Sequence, residues 1–154
     1  MAGLLGVLVR ATRAMRILEL GTGAGTSTLD MAQALPTDGA IITLEKNAQL
    51  GSTVREAIAS AGYARVVTVM IGDAGRYLHK LAGPFDLVVQ DSDPVRYAAW
   101  HEQLMMLVRP GGTLVTRNLA AAPDYNELLA ADSRLTTAFL DFADGVALSV
   151  KRKD

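Results

Sequence analysis

No stretch restricts the chain as tightly as Arg16 to Ser27, which reads Arg-Ile-Leu-Glu-Leu-Gly-Thr-Gly-Ala-Gly-Thr-Ser. Ile17, Leu18 and Leu20 make a short buried strand over 16–20, and Gly21, Gly23 and Gly25 then form a tight turn. Glycine adopts positive φ freely and lets a backbone approach a ligand closely. Thr26 and Ser27 are suited to cap the helix that follows over 26–35, which Pro36 ends. Strand, glycine turn and helix together form the entry of a nucleotide-type cofactor site. The spacing is Gly-x-Gly-x-Gly, not the Gly-x-Gly-x-x-Gly of dinucleotide binders. Glu19, at the end of the strand, places a carboxylate where a cationic ligand group would meet it.

The rest of the chain repeats that alternation. A helix over 2–14 precedes the first strand, with Leu4, Leu5, Leu8 and Ala11 as its apolar stripe. Further strands are predicted at 40–45, 66–71, 85–90 and 113–117. Helices are predicted at 48–61, from 75 to 81, at 95–108 and at 124–131. Asn47 caps the first of these helices and Gly62 stops it, while Pro110-Gly111-Gly112 closes the 95–108 helix. Strands alternating with helices imply a parallel sheet covered on both faces. Runs 135–142 and 146–151 differ, because a turn as short as Asp144-Gly145 joins antiparallel strands. The predicted class is therefore α/β: a Rossmann-like, doubly wound, mostly parallel sheet with an antiparallel last strand. Length, 154 residues without repeats or linkers, points to a single domain over 1–154.

Charge and cysteine content remove several function classes. Fifteen basic and sixteen acidic side chains leave a net charge of −1, which gives no attraction to nucleic acid or an anionic membrane. Cysteine is absent, so disulfides and thiolate metal sites are excluded, and a cytoplasmic location is expected. No apolar run approaches the ~20 residues of a membrane span. Ala2 to Val9 is apolar but has no basic region before it, and reads as a helix start rather than a signal peptide.

In open α/β sheets, ligands sit at the carboxyl ends of the strands, and here every central strand ends in an acidic or polar group. Glu45 ends the second strand, 20 positions after Gly25, where a carboxylate can accept two ribose hydroxyls. Asp73 follows the third strand, placed to take an adenine amino group. Asp91 ends the fourth and Arg117-Asn118 the fifth. Each position also has a structural reading: Glu45 as a surface charge beside Lys46, Asp73 as a helix cap, Asp91 as an anchor for its own loop. His101 falls on the stripe Tyr97, Trp100, His101, Leu104 and reads as a core-edge histidine; His79 is assigned no role.

Taken as a set, Ile-Leu-Glu-Leu-Gly-Thr-Gly-Ala-Gly-Thr-Ser, Ile-Thr-Leu-Glu ending at Glu45, Gly-Asp-Ala at 72–74, Phe-Asp-Leu-Val-Val-Gln-Asp at 85–91 and Arg-Pro-Gly-Gly-Thr-Leu-Val at 109–115 resemble class I S-adenosylmethionine-dependent methyltransferases. Within these the chain is most similar to the small-molecule O-methyltransferases related to catechol and caffeoyl-CoA methyltransferases. The resemblance covers roughly residues 4–118 and the closing Asp-Gly-Val-Ala-Leu strand. It implies S-adenosylmethionine as cofactor. Glu19 and Gly21 would lie near the methionine part and Ser27 at the glycine turn, with Gly23 and Gly25 completing that turn. Glu45 would bind the ribose, Asp73 with Ala74 the adenine, and Asp91 would stand beside the transferred methyl.

Two positions depart from the family pattern. An Asp-Asn pair after the fifth strand ordinarily helps hold a divalent cation; here it is Arg117-Asn118, and a guanidinium offers no oxygen ligand. A lysine ordinarily stands three positions after the first aspartate as general base; here it is Pro94, which cannot move a proton. The family's helices before the position of residue 1, which roof the acceptor pocket, are missing from the sequence, and the stretch from Asn118 to Asp132 is short. The expectation is an O-methyltransferase acting on a small molecule, without the usual metal, with Asp91, Asn118 and Arg117 as its catalytic set. Expected partners are a small-molecule acceptor, with no nucleic acid and no membrane; a homodimer is left open. A non-catalytic S-adenosylmethionine-binding protein of the same fold is the first alternative, and a nicotinamide-dependent dehydrogenase the second. Asp91-Ser92-Asp93-Pro94 is also similar to aminopropyltransferases, whose glycine turn is more acidic.

Overall fold

The first strand, β1 (Arg16–Leu20), is buried on both faces: Leu18 and Leu20 enter one core cluster and Ile17 the other, all without solvent exposure. A strand of that kind needs cover on both sides. In the computed structural model, which describes residues 2–153, helices supply it. The order is α1 (Ala2–Thr12), β1, α2 (Thr26–Ala34), β2 (Ala40–Glu45), α3 (Ala48–Ser60), β3 (Val67–Ile71) and α4 (Ala74–Tyr77). Then follow β4 (Phe85–Gln90), α5 (Tyr97–Leu107), β5 (Val108–Thr116), α6 (Pro123–Ala131), β6 (Leu135–Leu140) and β7 (Val146–Lys151).

The seven strands lie in the order β3-β2-β1-β4-β5-β7-β6. Pairs β1–β2, β2–β3, β1–β4 and β4–β5 are parallel, and β7 runs antiparallel to both β5 and β6. The antiparallel last strand is as the sequence predicts. The chain leaves β1 in one direction towards β2 and β3, then returns on its other side as β4. That reversal opens a crevice between the carboxyl ends of β1 and β4. Asp91 N–H donates to the Leu20 carbonyl at 2.9 Å and Gly21 N–H to the Leu44 carbonyl at 2.9 Å, so the loops after β1, β2 and β4 begin from one rigid edge.

Several local expectations need correction. Thr26 and Ser27 do not cap α2; Gly25, at φ 81°, occupies the cap position. β5 begins at Val108, ahead of the predicted 113, and carries Pro110-Gly111-Gly112 within it. β4 advances from Phe85 to Leu87 while β5 advances from Val108 to Thr113, so this segment bulges out of the ladder, with Gly111 at φ 75°. The β6–β7 connection spans residues 141–145, not only Asp144-Gly145. Its closing residues pair through Gly145 N–H to the Phe142 carbonyl at 3.1 Å.

Candidate functional site

A cleft of about 260 Å³ opens at the crevice between β1 and β4. Gly21, Gly23, Glu45, Asp73, Ala74 and Asp91, all singled out in the sequence, line it. A side chain at Gly21 is sterically excluded, because its Cβ would lie 2.1 Å from the Asp91 carbonyl oxygen. At Gly23 the same position meets nothing within 4 Å and faces open space. The turn is therefore pressed against β4 on one side and bare on the other, as a close backbone–ligand approach requires.

Glu45 is not a surface charge. It is 7 % exposed, with Oε2 accepting from Gly23 N–H at 3.0 Å and Oε1 from Asn47 N–H at 2.9 Å. One carboxylate thus ties the glycine turn to the start of α3, and each oxygen keeps a further lone pair for a ligand hydroxyl. Asp73 starts α4 but makes no side-chain capping bond, which leaves its carboxylate on the cleft wall.

Glu19, Gly25 and Ser27 belong behind that wall rather than on it. Glu19 is fully buried; Ser27 donates to its Oε1 at 2.5 Å, and Thr28 and Thr43 donate to its Oε2 at 2.5 and 2.7 Å. Burial pushes its carboxyl above the usual carboxylate range, and the three hydroxyls pull the other way without cancelling that shift. Instead of facing a ligand cation, Glu19 binds α2 and β2 to β1 beneath the turn. Gly25 is required by packing, since its Cβ would lie 2.8 Å from Val54 of α3.

The loops after β4 and β5 bring together Asp91, Arg117 and Asn118; of these three Asp91 lines the cleft, and Arg117 and Asn118 reach it through Asp91. Asn118 adopts a left-handed backbone, φ 58°, and its side-chain N–H donates to Asp91 Oδ1 at 2.8 Å. Asparagine tolerates that conformation better than most residues. The Arg117 guanidinium pairs with Asp91 Oδ2. Burial pushes the Asp91 carboxyl above its ordinary range, against the opposing Arg117 charge. The Tyr97 hydroxyl lies beneath, 3.4 Å from the Gln90 carbonyl it donates to. Burial raises this phenol well above the ordinary tyrosine range, with Asp91 adding to the effect.

Trp100, Arg96 and Leu50 also line the cleft and were not singled out as site residues. Trp100 falls on the core stripe of α5, and it is only 5 % exposed. The available signal was Arg96, one helical turn before it, whose guanidinium sits over the indole at 5.4 Å. His101 is a core histidine as expected: Nδ1 lies 3.0 Å from the Tyr125 hydroxyl and Nε2 2.7 Å from Asp132. His101, Glu102 and Asp132 gather three potential ligand atoms within 4.8 Å, but Arg134 pairs with both carboxylates and supplies the positive charge there.

A family model described as O-methyltransferase matches residues 1–121. A catechol O-methyltransferase from Niastella koreensis is 32 % identical over 171 residues, covering 95 % of this chain and 77 % of that protein. The O-methyltransferase TomG from Streptomyces achromogenes, involved in tomaymycin synthesis and solved with S-adenosylmethionine, superimposes with a TM-score of 0.91 at 27 % identity. That match covers 99 % of this chain and 79 % of TomG. An O-methyltransferase from Bacillus cereus in complex with S-adenosylhomocysteine gives 0.92 at 27 % identity, covering 98 % and 80 %.

Proposed function

This chain belongs to the O-methyltransferase family, and from that premise we propose that it transfers a methyl group from S-adenosylmethionine to an oxygen of a small molecule, without a divalent cation. The cleft residues fit the cofactor. Gly21 and Gly23 would leave room for it, Glu45 would offer its two acceptor oxygens to the ribose, and Asp73 with Ala74 would flank the adenine. When bound, the cofactor supplies an electrophilic methyl on a positively charged sulfur. The protein's remaining work is to align the acceptor oxygen, take its proton and exclude water.

The observation that carries the cation-free reading is the pairing at Asp91. Both of its carboxylate oxygens are engaged, one by Asn118 and one by the Arg117 guanidinium. A hard divalent cation needs several free oxygen ligands, and a fixed positive charge repels it, so this residue set does not fit one. Asp91 then receives the acceptor hydroxyl proton, with Arg117 balancing the carboxylate's charge; Pro94 cannot serve as the base. The reading takes residues 1–154 as one domain. No helix among the described residues is long and apolar enough to cross a membrane, which is compatible with the cytoplasmic location included in this proposal.

A screen of phenolic and other hydroxylated acceptors with labelled S-adenosylmethionine, run in EDTA and in Mg²⁺, tests it. Equal transfer in both conditions is the expected result, and transfer only with Mg²⁺ contradicts the assignment. Cofactor binding with no transfer to any acceptor would favour the non-catalytic binding protein.

A further inference from the structure

Asp73, Arg96 and Trp100 line the cleft and also a second hollow, of about 540 Å³, between α4 and α5. Gly75 and Arg76 of α4 and Gln103 of α5 complete its polar lining. Several of these groups lack partners. The Trp100 indole N–H is buried and makes no hydrogen bond among the described residues, and the same holds for Gln103 Oε1. Buried donors are rarely left unmade, so one that is points to a ligand. Neither the Arg76 nor the Arg96 guanidinium is ion-paired among the described residues. Gly75 marks where these groups converge. It lies within α4 and has no positive φ, so its backbone does not require glycine, which weakens a helix. A Cβ there would lie 3.0 Å from Asp73 Oδ1, 3.1 Å from Trp100 Nε1 and 3.6 Å from Arg96 Nη2. Glycine thus keeps a notch at which an acceptor, a donor and a cation meet.

We propose that this notch binds a phosphate group that carries a proton. The Trp100 N–H and the guanidiniums of Arg96 and Arg76 donate to its oxygens, in charge-assisted bonds from the arginines. Its own O–H donates to Asp73, with Gln103 Oε1 as a second acceptor. Two guanidiniums and one carboxylate leave the lining at +1, which favours an anion over a neutral hydroxyl compound. Asp73 then selects among anions. A sulfate or a carboxylate carries no proton at neutral pH and would set an anionic oxygen against Asp73, whereas hydrogen phosphate brings the donor that Asp73 accepts. Asp91 does not line this hollow, so the site is separate from the methyl-transfer end and stands without the cofactor reading.

Trp100 is the only tryptophan of the chain, so its fluorescence reports on this site alone. The titration is run at about pH 6, where a phosphate ester as well as free phosphate keeps a proton. Inorganic phosphate at constant ionic strength should give a saturable fluorescence change, matched by calorimetry, with a Kd at or below about 1 mM. Glycerol phosphate separates the two sources: binding assigns the notch to the phosphate of a larger molecule, and no binding assigns it to the free ion. Sulfate should bind at least about tenfold more weakly than phosphate, and Asp73→Asn should erase that preference. Arg96→Gln and Arg76→Gln, both at exposed side chains, should each weaken phosphate binding, Arg96→Gln by at least about tenfold. No saturable signal by fluorescence or calorimetry overturns the proposal. So does equal affinity for sulfate and phosphate in the parent, or phosphate binding indifferent to Arg96→Gln.

Discussion

Glu45 gives the sharpest residue-level prediction. Its two oxygens already accept from Gly23 and Asn47, so Glu45→Ala removes a ribose partner and also releases the glycine turn from α3. Two charged hydrogen bonds to the ribose amount to about 3–6 kcal/mol, on the order of 140- to 20,000-fold in Kd for S-adenosylhomocysteine. Calorimetry showing unchanged affinity would refute the ribose assignment. Arg117 is the second such residue. Arg117→Asp removes the guanidinium and restores an acidic pair with Asn118, so Mg²⁺ binding should emerge in titration of the variant and be missing from that of the parent. If the variant folds and still ignores Mg²⁺, Arg117 is not what excludes the cation, and the loop at Pro94 becomes the suspect.

Between elements, the contact joining α5, α6 and β6 makes stability depend on pH. Hydrogen bonds from Arg134, aided by His101, hold the Asp132 carboxyl well below its ordinary range, despite partial burial. A depressed folded pKa stabilises the native state fully above the unfolded value of about 4 and loses that contribution as pH falls below it. Urea midpoints of the parent and Asp132→Asn should therefore differ most at neutral pH and converge in acid; a constant gap would show that this ion pair does not act through titration. Elements were legible where one periodicity dominated. β1, β2, β4 and β7 fall at their predicted positions because apolar runs bounded by turn residues leave little choice. The early start of β5 was hidden because Pro110-Gly111-Gly112 reads as a break, and only pairing with β4 shows that a bulge accommodates it. Glu19 was misplaced for a related reason. Its hydroxyl partners Ser27, Thr28 and Thr43 lie on α2 and β2, and no local spacing brings them together.

At the scale of the whole molecule, two apolar clusters on opposite faces of one sheet fix the carboxyl ends of β1 to β5 along a single rim. The candidate site residues sit on that rim because the strand order reverses beside β1, and the order Gly21, Glu45, Asp73, Asp91 in the chain becomes a line of groups around one cleft. That much of the site was readable, since strand ends can be located from sequence. The contribution of Trp100 was not, because a residue on the face of α5 that meets the core also borders the cleft. The most direct measurement is a calorimetric titration of the chain with S-adenosylhomocysteine and, separately, with NAD, in EDTA. The account predicts one saturable site for S-adenosylhomocysteine, greatly weakened by Glu45→Ala, and no heat with NAD. Saturable binding of NAD, or no binding of S-adenosylhomocysteine to the folded chain, would contradict it.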